Sequence, residues 1–418
     1  AKIFNFAFMS SNPLDDLLNK LMNRSRIFKN PDSLRPDYIP DELPHRDKEI
    51  YKLAEVLFLP ILKGMRPSNV FIYGYPGTGK TATTKHVLKF IKEKLSHQAP
   101  IPVGSIIINC KIDDTNYRVL KVLNEYYNLK TPHTGIAVAE LYQRIIREMK
   151  RRREALIIVL DEIDHLVKKS GDEILYKLTR INSEDIITKV SLIGITNDLH
   201  FKEYLDPRVR SSLSEEELVF TPYTADQLKD ILTARAKIAL YEGTFDEGVI
   251  NLCASIAAKE KGDVRRALDL LRIAGEIAER NNLPKITESE VKLALSIMER
   301  DKIYEIINSL PVHSKLVLFA IYSLQMKEMR DCITGEVYEE YVNYCKELNY
   351  EPLTARRMSD IINELEMGGL IRANLTSKGR YGRTKYISLR VTKEEIENTL
   401  KSDERFAKLI YEIGSWHR

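Results

Sequence analysis

Between Val70 and Tyr223 two kinds of pattern alternate along the chain. Short apolar runs, rich in β-branched residues, recur as VFIYG (70–74), SIIINC (105–110), ALIIVLDE (155–162), VSLIGIT (190–196) and ELVFTPY (217–223). None alternates apolar with polar positions. Strands of a parallel sheet covered by helices on both faces read this way. Segments with helical spacing separate the runs, so the pattern predicts an α/β unit. After Tyr223 the short runs stop. Thr224 with Gln227, and Thr287 with Glu290, have capping-box spacing, and 224–300 predicts helices only.

From Asp301 the spacing predicts helices over 303–325, 335–348 and 354–367, then two strands. Thr354 is placed to cap the third helix, and Gly368 with Gly369 to end it. Within that helix Met358, Ile361, Ile362 and Leu365 recur at i, i+3, i+4 and i+7, which makes one apolar face. Upstream, 12–30 predicts a short helix followed by a basic segment. Pro31, Pro36, Pro40 and Pro44 predict an extended strap, because a residue before proline avoids the helical region. A helix over 45–62 follows. The predicted organisation is an extension over 1–37, an α/β domain over 38–223, a helical domain over 224–300 and a third domain over 301–418.

A chain of 418 residues is too long for one core, which agrees with several domains. Its net charge of +4 permits a nucleic-acid partner without arguing for one; local clustering has to decide. Cys110, Cys253, Cys332 and Cys345 form no CxxC pair and no Cys/His ligand spacing, which argues against a structural zinc site. Reduced thiols are expected, with Cys332 and Cys345 the pair that a bridge could join. No apolar run has the length of a membrane span, and AKIFNFAFM at the start lacks a cleavage-like region. A cytoplasmic protein with no membrane partner is expected.

The sharpest chemistry is GYPGTGKT, Gly74 to Thr81, which fits G-x-x-x-x-G-K-[ST] between a strand and a helix. Glycines there let backbone N–H groups turn onto phosphate oxygens, and the helix adds its positive end. Lys80 would reach the β- and γ-phosphates of ATP, and Thr81 would ligate Mg²⁺. LIIVLDEIDHL (156–166) delivers Asp161 and Glu162 at the end of a strand, where ligands of an open sheet bind. Asp161 suits Mg²⁺, and Glu162 suits polarising the attacking water. Asp164 could cap the next helix or act in catalysis; His165 reads as structural. Asn197, just past another strand, could orient water or simply turn the chain. Arg208 and Arg210 in LDPRVRSSL, and Arg265 and Arg266 in GDVRRALDLLR, are suited to phosphoryl charge, though each read singly is an ordinary surface cation.

A second cluster lies in the third domain. Arg356 and Arg357 occupy the first turn of the predicted third helix, where cations oppose the helix dipole; a DNA phosphate or base edge would favour them. The stretch LTSKGRYGRTKYISLRV (375–391) carries Lys378, Arg380, Arg383, Lys385 and Arg390, and no acid. Gly379 and Gly382 flank Tyr381 and permit a tight hairpin tip. Three helices and a basic hairpin fit a winged helix that grips duplex DNA.

In this order the motifs resemble the AAA+ ATPases, and within them the archaeal replication-initiator family, kin to the origin recognition complex and its cell-division-cycle loader. DELPHRDKEI (41–50), GYPGTGKT, LDEIDHL, DPRVRSSL and GDVRRALDLLRIAGEIAE carry the resemblance, which spans about Tyr38 to Val391. It implies an AAA+ P-loop domain with a parallel sheet, an all-α lid and a C-terminal winged helix. It implies nucleotide held by Gly74, Pro76, Gly77, Thr78, Gly79, Lys80, Thr81 and Ala82, with Tyr223 in the same set and His45 and Arg46 near the adenine. Asn197 becomes the first sensor and Arg265 the lid sensor, while Arg208 resembles the arginine that acts across subunits, with Arg210 close enough to share the claim. Thr354, Arg356, Arg357, Lys378, Arg380, Tyr381, Arg383 and Lys385 would meet DNA. The insertion 111–128 sits where initiators carry a DNA-touching helix, but Asp113, Asp114 and Glu125 depart from a basic pattern.

The implied function is an ATP-dependent initiator, a slow ATPase used as a switch between ATP and ADP states. It would bind double-stranded origin DNA, meet paralogous initiator subunits and promote loading of the replicative helicase. Two alternatives share part of the chemistry: a clamp-loader-like or DNA-remodelling ATPase, which needs no winged helix, and a nucleotide-switched transcription regulator.

Overall fold

The computed structural model describes residues 26–130, 135–328, 330–377 and 383–415. The chain divides into two compact units, 1–292 and 293–418. In the first, β1 (Val70–Gly74), β2 (Val103–Asn109), β3 (Ala155–Asp161), β4 (Lys189–Thr196) and β5 (Glu216–Phe220) form one parallel sheet in the order β2-β3-β4-β1-β5. Helices α1 (Asp47–Leu62), α2 (Lys80–Phe90), α3 (Asn116–Tyr126), α4 (Val138–Met149), α5 (Ile163–Ser170), α6 (Glu173–Thr179) and α7 (Pro207–Leu213) surround it.

Strand β3 shows why its sequence lacks alternation. Leu156, Ile158 and Leu160 enter a core with Val119 and Leu123 of α3 and Leu141 and Ile145 of α4. Ile157 and Val159 face the opposite way, onto Leu53 and Leu57 of α1 and Val87 of α2. All five are at most 1% exposed, and each such side chain contributes about 1.5–3 kcal/mol of transfer free energy. On the edge strand β5, where Val219 is 51% exposed, Lys52 of α1 donates from Nζ to the Glu217 carbonyl at 2.7 Å.

The all-helical part of this unit has α8 (Ala225–Ala239), α9 (Glu247–Lys259), α10 (Val264–Arg280) and the start of α11 (Glu288–Ser309), which runs on into the second unit. Thr224 and Gln227 form the expected reciprocal cap. The strap ahead of α1 differs from its expectation. Pro31–Leu34 is a 3-10 turn, since Pro31 presets a helical φ at its first position. Before it, Phe28 bridges Leu240, and the N–H groups of Ile27 and Phe28 donate to Glu279 Oε1 at 2.9 and 3.1 Å. The Phe28 ring lies so near Gly275 that a β-carbon there would come within 2.5 Å. The residues just ahead of the strap are therefore built into the all-helical part.

The second unit contains α12 (Val312–Glu328), β6 (Cys332–Ile333), α13 (Thr334–Glu347), α14 (Ala355–Met367), β7 (Ile371–Ser377), β8 (Arg383–Leu389), α15 (Lys393–Leu400) and α16 (Glu404–Ser415). Its antiparallel sheet runs β6-β8-β7. The single helix expected over 303–325 is two helices, α11 and α12, broken at Leu310-Pro311; proline disfavours a helical residue before it. Helix α14 ends as expected. Gly369 takes φ 75°, Leu370 N–H bonds the Leu365 carbonyl at 3.0 Å, and Gly369 N–H bonds Glu366 at 2.9 Å, a Schellman arrangement. Met358, Ile361, Ile362 and Leu365 all enter the core, joined by Phe406 and Ile410 of α16, a helix the sequence reading did not foresee. All four cysteines are buried and unbridged. Among the described residues no helix is long and apolar enough to cross a membrane.

Candidate functional site

The loop between β1 and α2 owes its shape to two glycines. Gly77 (φ 68°) and Gly79 (φ 89°) are left-handed, and a β-carbon on them would come within 1.7 Å of Asp263 Oδ1 and 2.8 Å of the Tyr223 hydroxyl. Lys80 folds back into this loop. Its Nζ donates to the carbonyls of Gly74 and Tyr75 at 2.9 and 2.7 Å. Burial pulls the Lys80 pKa down to about 8, helped by the Arg265 guanidinium and opposed by Asp161 and Asp263. Thr81 donates its hydroxyl to Asp161 Oδ2 at 2.9 Å. Glu162 holds a left-handed φ of 55°, with its N–H on Asp161 Oδ1 at 3.0 Å; such strain in a non-glycine residue concentrates at functional sites.

These groups open into a cavity of about 670 Å³, a size usual for cofactor sites. Gly77, Thr78, Gly79, Lys80, Thr81 and Ala82 make its floor, with Asp161, Glu162 and Asn197 at the strand ends and Tyr223 beside them. Arg265 reaches it from the first turn of α10, whose Val264 N–H donates to the Gly77 carbonyl at 3.2 Å. The predicted set is thus largely brought together.

Of the residues expected to hold nucleotide, four stand outside the cavity wall. Gly74 ends β1, and Pro76 is an exposed member of the loop that does not line the cavity. His45 takes φ 63° and pairs through Nε2 with Asp230 at 2.8 Å. Arg46, 2% exposed, braces the loop from beneath: Nε donates to Thr78 O and Nη2 to Thr221 O, both at 2.8 Å, with its guanidinium 3.9 Å above the Tyr223 ring. Wall residues that the sequence reading missed come from the strap, Tyr38 to Pro44, and from Ile231, Arg235 and Ile238 of α8. Arg235 ties the two: it donates to Ser33 O and Tyr38 O at 2.7 and 3.1 Å and lies 4.7 Å over the Tyr38 ring. Its spacing with Ile231 and Ile238 reads as an ordinary core face, and nothing in the strap's prolines says which way it looks.

Arg208 and Arg210 are exposed on α7, away from the cavity wall. Arg208 is held by Asp206 at 3.1 Å and lies 5.2 Å over Tyr176. Arg266 pairs with Glu260 at 2.9 Å. In the insertion, α3 buries Val119, Leu120 and Leu123, and Asp114 is engaged by Arg118 and Lys169.

In the second unit Thr354 accepts from the Arg357 N–H and caps α14, with Arg356 and Arg357 exposed in its first turn. Arg357 has carboxylates near it, Asp360 at 3.6 Å and Glu364 at 4.0 Å. Lys385 of β8 donates to Asn363 Oδ1 of α14 at 2.6 Å, tying hairpin to helix. Arg383 opens β8 opposite Ser377. Lys378, Arg380 and Tyr381 lie outside the described residues.

Family models match three stretches: an AAA domain over 64–202, the Cdc6 AAA+ ATPase-type lid domain over 229–296 and the CDC6 C-terminal winged helix domain over 305–399. The ORC1-type DNA replication protein of Pyrococcus furiosus is 52% identical over 401 residues, 95% of each chain. ORC1-type DNA replication protein 1 of Sulfurisphaera tokodaii is 50% identical over 397 residues, 95% of this chain and 98% of that one. The structure of the Aeropyrum pernix ORC1 protein in complex with DNA aligns with a TM-score of 0.81 and 46% identity, covering 92% of this chain and 99% of that one. With a P-loop sheet, a lid and a winged helix in that order, and half its residues shared along nearly its whole length, the chain belongs to the archaeal ORC1/Cdc6 family of DNA replication initiators.

Proposed function

We propose that the protein binds origin duplex DNA under the control of bound ATP or ADP and, in its ATP form, promotes loading of the replicative helicase at the nucleoid. The observation that carries this reading is the cavity in which Lys80, Thr81, Asp161, Glu162, Asn197 and the lid residue Arg265 converge, in a chain that also holds a winged helix with arginines exposed at the start of α14. Support for a duplex ligand comes from the Aeropyrum pernix relative, whose structure is a complex with DNA.

Lys80 would exchange the Gly74 and Tyr75 carbonyls for β- and γ-phosphate oxygens. Glu162 would orient the water that attacks the γ-phosphorus, breaking its bond to the ADP oxygen. Asn197 and Arg265 would meet the γ-phosphate, so ATP and ADP favour different lid positions. Slow turnover suits a switch. Thr81 and Asp161 place two hard oxygen donors side by side, and among the described residues no group of three or more His, Cys, Asp or Glu side chains could cage a metal. That donor set fits Mg²⁺ shared with phosphates; when bound it would neutralise phosphate charge. Arg208 or Arg210 would reach the nucleotide of a neighbouring paralogous subunit. Thr354, Arg356, Arg357 and the hairpin cations Lys378, Arg380, Arg383 and Lys385, with Tyr381, would hold the duplex.

Footprinting of genomic origin fragments with ATP, with ADP and without nucleotide tests the reading. Protection of origin sequence whose extent differs between ATP and ADP is expected. No protection under any condition would sink it.

A further inference from the structure

Asp164 is buried, 7% exposed, yet it is neither a helix cap nor part of the cavity wall. The cap position of α5 belongs to Glu162, and Asp164 lies two residues further in. Its Oδ1 accepts the hydroxyl hydrogen of Thr196, fully buried at the end of β4, at 2.8 Å. That hydroxyl in turn accepts the N–H of Asp198 at 3.0 Å. Lys168, one turn along α5, reaches Asp164 Oδ2 at 3.4 Å and Asp198 Oδ2 at 3.1 Å. Both chain neighbours of Asn197 are therefore fastened to the helix that begins directly after Glu162.

The polarity of this chain is set by chemistry. A hydroxyl has one hydrogen, and Thr196 gives it to Asp164, which leaves the oxygen lone pairs for the Asp198 amide. A carboxylate that accepts at both oxygens is what the second position of α5 must supply. Asn197 follows the end of β4, where nothing in the sheet ladder holds it. Reacting groups misplaced by about 1 Å can lose about 100-fold in rate, so a loop amide needs such support.

We propose that Asp164 is a positioning residue. Through Thr196 and Lys168 it sets the place of Asn197 relative to Glu162, and so governs phosphoryl transfer rather than nucleotide affinity. This rests on reading the cavity as an ATP-hydrolysing site.

The test uses the full chain and its D164A, T196V and T196S variants. Fluorescent ADP and ATP analogues give Kd, and single-turnover assays with ATP give the hydrolysis rate. D164A and T196V are expected to bind within about twofold of wild type and to hydrolyse at least about tenfold more slowly. T196S, which keeps the hydroxyl, is expected to restore the rate. If D164A does not fold, the T196V and T196S pair carries the test alone. A wild-type rate in T196V, or loss of affinity in step with rate, overturns the proposal while leaving the site assignment standing. A wild-type protein that binds ATP but never cleaves it overturns both.

Discussion

Thr81 and Asp161 share a hydrogen bond of 2.9 Å that joins the first turn of α2 to the end of β3. Two oxygens from separate elements meet there, and both would be donors to a divalent cation, the Thr81 hydroxyl offering a lone pair while it keeps its hydrogen. Wild-type protein is expected to bind ATP more tightly with Mg²⁺ than with EDTA. T81A and D161N should lose most of that difference while retaining ADP binding in EDTA. An undiminished Mg²⁺ effect in both variants would remove the pair from the cation site.

Lys80 carries a pH signature. Its folded pKa of about 8 lies below the ordinary 10.5. Between those values the unfolded chain holds more protons, so stability rises as pH increases through that window. Phosphates returning to the loop would raise the pKa again. Nucleotide binding at about pH 8.5 should therefore take up a proton, and uptake should fall toward zero near pH 6.5, well below the folded pKa. Calorimetry in two buffers of different ionisation enthalpy measures this. K80A should bind weakly and show no uptake.

Arg46 supports the loop without entering the cavity. R46A would strand the carbonyls of Thr78 and Thr221 and empty the space over Tyr223. The expected cost is about 3 kcal/mol, read as a lower urea midpoint. Nucleotide affinity should fall with it, since the left-handed Gly79 packs on the same Tyr223 hydroxyl. A midpoint unchanged from wild type would show the brace to be idle.

Arg356 and Arg357 differ in surroundings, and their variants should differ too. Arg357 has Asp360 and Glu364 near it, whereas no ion pair of 4 Å or less engages Arg356 among the described residues. R356A should weaken duplex binding and reduce the slope of log K against log salt by about 0.9, one phosphate contact. R357A should change the slope less. Equal affinity for wild type and R356A at two salt concentrations would take this helix end out of the interface.

The parts legible in the sequence are those where one local rule decides. The central strand runs stood out because β1, β3 and β4 are buried on both faces, as Leu156 and Ile157 show from opposite sides of β3, whereas the edge strands β2 and β5 leave Ile107 and Val219 exposed. The phosphate loop stood out because only glycine tolerates the backbone at Gly77 and Gly79. The break at Pro311 was also written in the chain, but helical periodicity runs through it and hid it. The orientation of His45 and Arg46 was not legible: their order along the chain says nothing about which side of the loop they reach. Nor was the wall made by Tyr38, Arg235 and Ile238, because it forms only where distant segments meet.

That wall follows from residues 27–38 being clasped by Glu279, Ala239 and Arg235. The lid is thus a discontinuous inheritance, with one piece encoded ahead of the sheet and the rest after it. A chimaera that exchanges only 224–292 with a relative would graft helices lacking their matched N-terminal fragment, and one face of the cavity would be foreign to the other. Swaps meant to move nucleotide preference between family members must carry 26–44 along with them.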